Sequence, residues 1–159
     1  ALLTPAMLQH FLRASLAADS DATVGLVRYE DIVAAFPGSR RTVTRLRDGG
    51  FCGCNLFTFN PRGRKLVRFW QQAEDLRKHP WQLIAQVLGP RIVLSYLFGL
   101  LTLEQALRKV SEKSDVNIQA VMLPDPQAGV DVDKVEDLLL AESILASPSL
   151  SLRNDRLSV

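Results

Sequence analysis

Val130-Asp131-Val132-Asp133-Lys134-Val135-Glu136-Asp137-Leu138 reads as a short extended run that turns into a helix. Strand side chains switch faces at every residue, so Asp131 and Asp133 point the same way. The helix that follows adds unpaired backbone N–H groups and the positive end of its dipole. Carboxylates beside free amides suit a divalent cation carrying a phosphate. The same residues also fit a plain helix start, with Asp133 as N-cap and Glu136 three positions on as its capping-box partner. Spacing leaves both readings open.

Helices and strands alternate along the rest of the chain. Thr4 is placed to cap a helix with Pro5 as its first residue, and Met7, Leu8, Phe11, Leu12 and Leu16 recur at helical spacing to about Ala18. A strand is expected from Thr23 to Arg28, then a short helix from Tyr29 to Phe36, closed by Pro37-Gly38. Thr42 to Arg47 alternates. Asp48-Gly49-Gly50 marks a turn, and Phe51 to Phe59 is a second strand, the pair reading as a hairpin or as two strands joined by a tight turn. Helices are expected over 61–78, 80–89 and 91–101. A further helix, capped by Thr102 with Gln105, runs to about Lys113. Val116 to Leu123 is a strand and Pro124-Asp125-Pro126 a loop. Strands alternating with helices predict an α/β layer structure, with helices outnumbering strands. The tail from Ser147 alternates Ser and Pro with Leu and reads as poorly ordered.

The 159 residues are enough for one domain with a core. Hydrophobic content of 47% and charged content of 23% fit an ordinary globular protein, and a net charge of +2 gives no argument for nucleic acid. The basic residues do cluster, at Arg40, Arg41, Arg45 and Arg47 and again at Arg62, Arg64, Lys65 and Arg68. Most such runs are solvated faces, but near one another they also suit a phosphate. Cys52 and Cys54 have one residue between them, unlike a zinc or redox pair. They read as small apolar fillers of a strand in a reducing, cytoplasmic setting. The apolar run from Ile92 to Leu101 falls short of the roughly 20 residues that span a bilayer, so no membrane is expected. His10 and His79 lack a second ligand at metal-binding spacing, and Trp70 and Trp81 read as core.

Four segments taken together resemble the C-terminal part of a nucleotidyltransferase with an NTP-transferase domain. They are Leu2-Leu3-Thr4-Pro5; Pro37-Gly38-Ser39-Arg40-Arg41-Thr42; Asp48-Gly49-Gly50-Phe51-Cys52-Gly53-Cys54-Asn55-Leu56-Phe57; and the opening motif. The likeness is to molybdenum-cofactor guanylyltransferase, the sugar-nucleotide cytidylyltransferases and the adenosylcobinamide-phosphate guanylyltransferases. It covers about residues 1–146, leaving 147–159 as a flexible tail. The most specific segment is the last, commonly written V-D-T-P-E-D-L in that family.

The resemblance implies a Rossmann-like sheet of the nucleotide-diphospho-sugar transferase type. It implies an enzyme in which a phosphorylated acceptor attacks an NTP and pyrophosphate leaves, with Mg²⁺ held by two aspartates. Asp133 matches one of those aspartates, and Asp131 stands beside it as an outer or alternative ligand. Gly53 and Asn55 match the segment that lines the acceptor pocket, where glycine admits a ligand to the backbone. Thr42 and Arg41 lie on the loop before it, and a phosphate role for Arg40 and Arg41 follows from charge rather than from a family motif. The chain departs from the pattern in several places. Lys134-Val135 stands where Thr-Pro is usual, and Cys54 where glycine is common. The family's G-G-x-G-x-R-x-G triphosphate loop and its A-D-x-P-L-L-T aspartate have no counterpart in the chain. The expectation is a C-terminal portion, inactive alone, lacking the first strands of the sheet. Apolar surface over 80–101 would then be exposed and favour self-association. Two other readings stay open: a non-catalytic binding or assembly module that keeps the fold, and a glycosyltransferase of related fold. For the latter, an Asp-x-Asp in mid-chain would be expected rather than one near the C-terminus.

Overall fold

The computed structural model describes residues 2–39, 41–67, 89–130 and 142. Asp131, Asp133, Arg40, His79, Trp70, Trp81 and the 147–159 tail lie outside the described residues, as do the helix expected over 80–89 and most of that over 61–78.

Helix α1 spans Pro5–Ala17. Thr4 caps it as expected, its hydroxyl accepting the Met7 N–H at 3.4 Å. Met7 and Phe11, one turn apart, form its buried stripe. Strand β1, Ala22–Arg28, leads directly into α2, Tyr29–Ala35. A hairpin follows, made of β2, Thr44–Leu46, and β3, Gly49–Phe59. The chain continues through α3, Pro90–Leu97, and α4, Leu103–Ser114, to β4, Ile118–Met122. A 3-10 turn over Pro126–Gly129 comes next. The four strands form one mixed sheet in the order β2-β3-β1-β4. β1 is parallel to β4 and antiparallel to β3. The α/β fold class read from the sequence is the one observed.

Register divides the core between two faces. Val27, Cys52, Cys54, Val121 and Leu123 pack with Met7 and Phe11 of α1, Ile32 of α2 and Ala128 of the 3-10 turn. Ala22 and Ile118, paired in register, belong to a second cluster with Val116, covered by Leu107 and Val110 of α4 and by Leu66. Ala22 and Val27 are five residues apart on a regular strand, so these clusters lie on opposite faces. Burying a side chain such as Ile32 or Val27 stabilises the fold by about 1.5–3 kcal/mol. Among the described residues, Thr23 is a polar residue buried in the sheet. The Thr23 hydroxyl sits between Ser15 of α1 at 2.7 Å and Thr58 of β3 at 2.6 Å, so its hydrogen bonds are kept.

Several elements differ from the sequence expectation; β4, for one, covers Ile118–Met122 instead of Val116 to Leu123. β2 starts at Thr44 instead of Thr42, because Val43 turns in to pack against the core beside Gly50. α3 stops at Leu97, four residues early, because Gly99 takes φ +63° and closes the helix. There the Gly99 N–H donates to the Tyr96 carbonyl and the Leu100 N–H to Ser95, a Schellman motif. The loop after Pro124 folds into the 3-10 turn. Pro126 starts it and Gly129 fits close against α2, where a Cβ would lie 2.7 Å from Ile32 Cδ1. The Thr102–Gln105 capping box of α4 forms as read. Among the described residues no helix is long and apolar enough to cross a membrane.

Candidate functional site

The centre of β3 is bulged. Val24 pairs with Phe57, whereas Leu26, two residues on, pairs with Gly53. One β1 residue, Gly25, therefore faces three β3 residues, Cys54, Asn55 and Leu56. Asn55 absorbs the extra length in the left-handed region at φ +54°, a conformation asparagine adopts more readily than most residues. Gly25 makes room from the other side, since a Cβ there would stand 3.0 Å from Leu56 Cβ and 3.2 Å from Leu123 Cδ1. Bulges of this kind re-aim side chains and gather beside active sites.

Gly53 and Asn55 are both exposed, while Cys52 and Cys54 between and beside them are buried in the core. The cysteines are unbridged fillers, as expected. A Cβ built on Gly53 meets nothing within 4 Å, so the backbone here is open from above. Gly53 stands level with Leu26, which in turn pairs with Met122, the last residue of β4. The open position thus lies near the carboxyl ends of the two parallel strands, the edge where α/β sheets take their ligands.

The segment before β2 approaches the same strand. Arg41 is half-buried, and its Nε donates to Ser39 Oγ at 3.2 Å. Its guanidinium lies close enough to Cys52 to act on the thiol, although burial dominates and pushes that thiol up. Thr42 is exposed, on the irregular stretch leading to β2. Gly53 therefore flanks the bulge that carries Asn55, whereas Arg41 lies beside Cys52, which the strand turns to its other, buried face. On the same edge the 3-10 turn packs against β1, β3 and α2. The chain leaves it at Val130, fully buried, one peptide bond before Asp131.

Two polar groups that sequence reading passed over organise this edge. Glu30, in the first turn of α2, accepts the Gly50 N–H at 3.1 Å. Its own backbone N–H and that of Gly50 hold its carboxyl below the usual range, with Arg28 and Arg45 adding to the effect. Those arginines lie over the rings of Phe51 and Tyr29. Asp48, read as a turn residue, places both carboxylate oxygens 3.1 and 3.2 Å from the Leu103 N–H at the start of α4. Asp48 is 55 residues from its partner, so no local pattern announces the contact. Glu30 in a first helical turn carries a weak local signal.

A separate polar cluster lies at the amino end of the sheet. Asp21 accepts the Asn117 N–H at 3.0 Å and the Asn60 side-chain amide at 3.0 Å. Lys65 reaches Asp115 at 2.7 Å and Arg62 lies between the two aspartates. His10, read as structural or exposed, is exposed at the edge of the sheet with Nε2 3.3 Å from the Met122 carbonyl. It lines a hollow along α1 with Ala6, Gln9, Arg13 and Ala14, which contains none of the expected site residues. Among the described residues no three His, Cys, Asp or Glu side chains converge where a cation could sit.

No protein-family model matches the chain, and no curated protein matches it. Among solved structures it is similar to one from Thermus thermophilus described as a hypothetical transferase, with 33% identity and a TM-score of 0.76. The alignment covers 86% of this chain and 58% of that one, so the chain spans a little over half the length of its structural neighbour. Over that span the chain has a transferase-like α/β fold.

Proposed function

We propose that the chain carries the acceptor side of a nucleotidyltransferase. The reaction moves an NMP group from a nucleoside triphosphate to a phosphorylated small molecule. An acceptor phosphate oxygen attacks the α-phosphorus, the new O–P bond forms as the bond to the β-phosphate bridge breaks, and the electron pair leaves with pyrophosphate. The observation that carries this reading is the open backbone at Gly53 beside the Cys54-Asn55-Leu56 bulge, near the carboxyl ends of β1 and β4. It combines backbone access with a polar side chain on the strand that carries the sequence resemblance, and the fold of the Thermus neighbour supports it.

In this reading Gly53 admits the acceptor to the strand, Asn55 offers its amide as donor and acceptor, and Thr42 offers a hydroxyl. Arg41 supplies a cation for the acceptor's phosphate. The Mg²⁺ is assigned to Asp133, with Asp131 beside it, on the sequence resemblance alone. When bound, it would offset charge growing on the phosphoryl oxygens. A reducing cytoplasm suits the two buried, unbridged cysteines.

The test is pyrophosphate release by the complete gene product, supplied with Mg²⁺, each NTP and a panel of phosphorylated acceptors. Asp133→Ala is expected to lower turnover about 100-fold or more. Absence of pyrophosphate release with every NTP would refute the reaction. Unchanged turnover in Asp133→Ala would refute the metal assignment.

A further inference from the structure

Helix α3 and the turn after it display an apolar ridge to solvent. Leu94, Leu97 and Phe98 recur at three- and four-residue spacing and so share one stripe of the helix. They are 52%, 60% and 73% exposed, and Leu100 just beyond is 56% exposed. Singly exposed leucines are ordinary, but four large apolar side chains within seven residues form a patch.

The ridge is held in shape. The Schellman bonds from Gly99 and Leu100 close the helix, and Leu101 is buried with its carbonyl accepting the Arg47 N–H at 2.8 Å. Thr102 then caps α4. A surface ordered before it meets a partner loses less conformational freedom on binding.

We propose that this ridge is a two-fold interface with a second copy of the chain. Charge favours that occupant. From Ile92 to Leu103 there is no charged residue, and the stretch is bounded by exposed Arg91 and exposed Glu104. A two-fold partner presents the same patch, so a charged ridge would repel itself and this one does not. Antiparallel pairing also turns the basic end of one copy towards the acidic end of the other. A lipid surface would instead call for basic residues at both ends. Area agrees with a second copy. Taking about 200 Å² for a large apolar side chain, the ridge exposes on the order of 500 Å². Two copies whose ridges cover each other would remove about 1,000 Å² from water, the lower bound for a biological interface and the size of a weak, reversible one.

The test is sedimentation velocity of the complete gene product from about 1 to 100 µM, the range in which a modest dimer shows itself. A concentration-dependent dimer is expected. Leu97→Glu and Phe98→Glu should each weaken it at least about tenfold, with far-UV circular dichroism unchanged. Leu16→Glu, at the 86% exposed end of α1, should leave the dimer intact. A gene product that stays monomeric throughout would overturn the proposal, as would a dimer that survives both ridge substitutions. None of these outcomes depends on pyrophosphate release, so this interface and the enzymatic reading stand or fall separately.

Discussion

The two ends of the sheet use their polar groups in opposite ways. At the amino end, Asp21, Asn60 and Asn117 satisfy one another across three segments. The Asn60 and Asn117 backbones are tied in too, through the Asp21 carbonyl and the Asp21 N–H. Gly63 closes this end, because a Cβ there would stand 2.1 Å from the Asp21 carbonyl oxygen. Near the carboxyl end, Gly53 faces open space and its neighbour Asn55 holds a left-handed backbone on an exposed bulge. One glycine is required by packing and the other is not. A glycine that packing does not require, in the middle of a strand that glycine weakens, points to something that approaches from outside.

Substituting the two glycines separates these roles most strongly. Gly63→Ala forces a Cβ into backbone that has no side chain to yield, and a loss of about 3 kcal/mol or more is expected. In thermal melts that is a fall of roughly 10 °C for a chain of this size. Gly53→Ala should change stability by less than about 1 kcal/mol in either direction. Equal melting temperatures for the two variants would remove the distinction between a packed end and an open one.

A smaller effect, visible only in acid, comes from Asp21. The Asn117 N–H, the Asn60 amide and then the Arg62 and Lys65 charges hold its carboxyl below the ordinary aspartate range. A carboxyl depressed in the folded state contributes stability that is present above the unfolded value, about 3.9 for aspartate. That contribution is lost as pH falls through the folded value. The urea midpoint should therefore drop as pH is lowered below about 4. Asp21→Asn should start lower at neutral pH and fall less in acid. Glu30, Glu112 and Asp115, also held low by their partners, will keep some slope in both proteins. Parallel acid limbs in the two would mean that Asp21 does not hold the amino end together.

The difference between the ends also explains what sequence could reveal. Helix starts were legible, because Thr4 followed by Pro5 and Thr102 with Gln105 three residues on are local signals. The hairpin was legible from Asp48-Gly49-Gly50, although β2 proved shorter once Val43 was drawn into the core. The amino-end latch was not, because Asp21 and Asn117 lie 96 residues apart and neither carries a local pattern. The same holds for Asp48 and Leu103. At the open end a resemblance singles out Gly53 and Asn55, but the bulge beside them is not legible. A bulge is a mismatch between two strands, and Gly25 and Gly53 mark it only once their register is known. Arg41 reaches β3 through a loop, whose path no periodicity encodes.

The smallest change in stability, and the most specific in meaning, is expected from Asn55→Gly. Glycine adopts φ +54° as readily as asparagine, so the bulge should keep its shape. The entropy lost by the more flexible chain costs less than about 1 kcal/mol. What disappears is the side-chain amide alone. If that amide meets the acceptor, the complete gene product should show a raised KM for the acceptor, an unchanged KM for the nucleotide and a nearly unchanged melting temperature. Asn55→Val, which favours extended backbone, should lower stability by about 1–2 kcal/mol as well, since it opposes the left-handed conformation. An Asn55→Gly enzyme with wild-type acceptor kinetics would show that asparagine stands there for its backbone alone, leaving Gly53, beside the bulge, as the part that an acceptor meets.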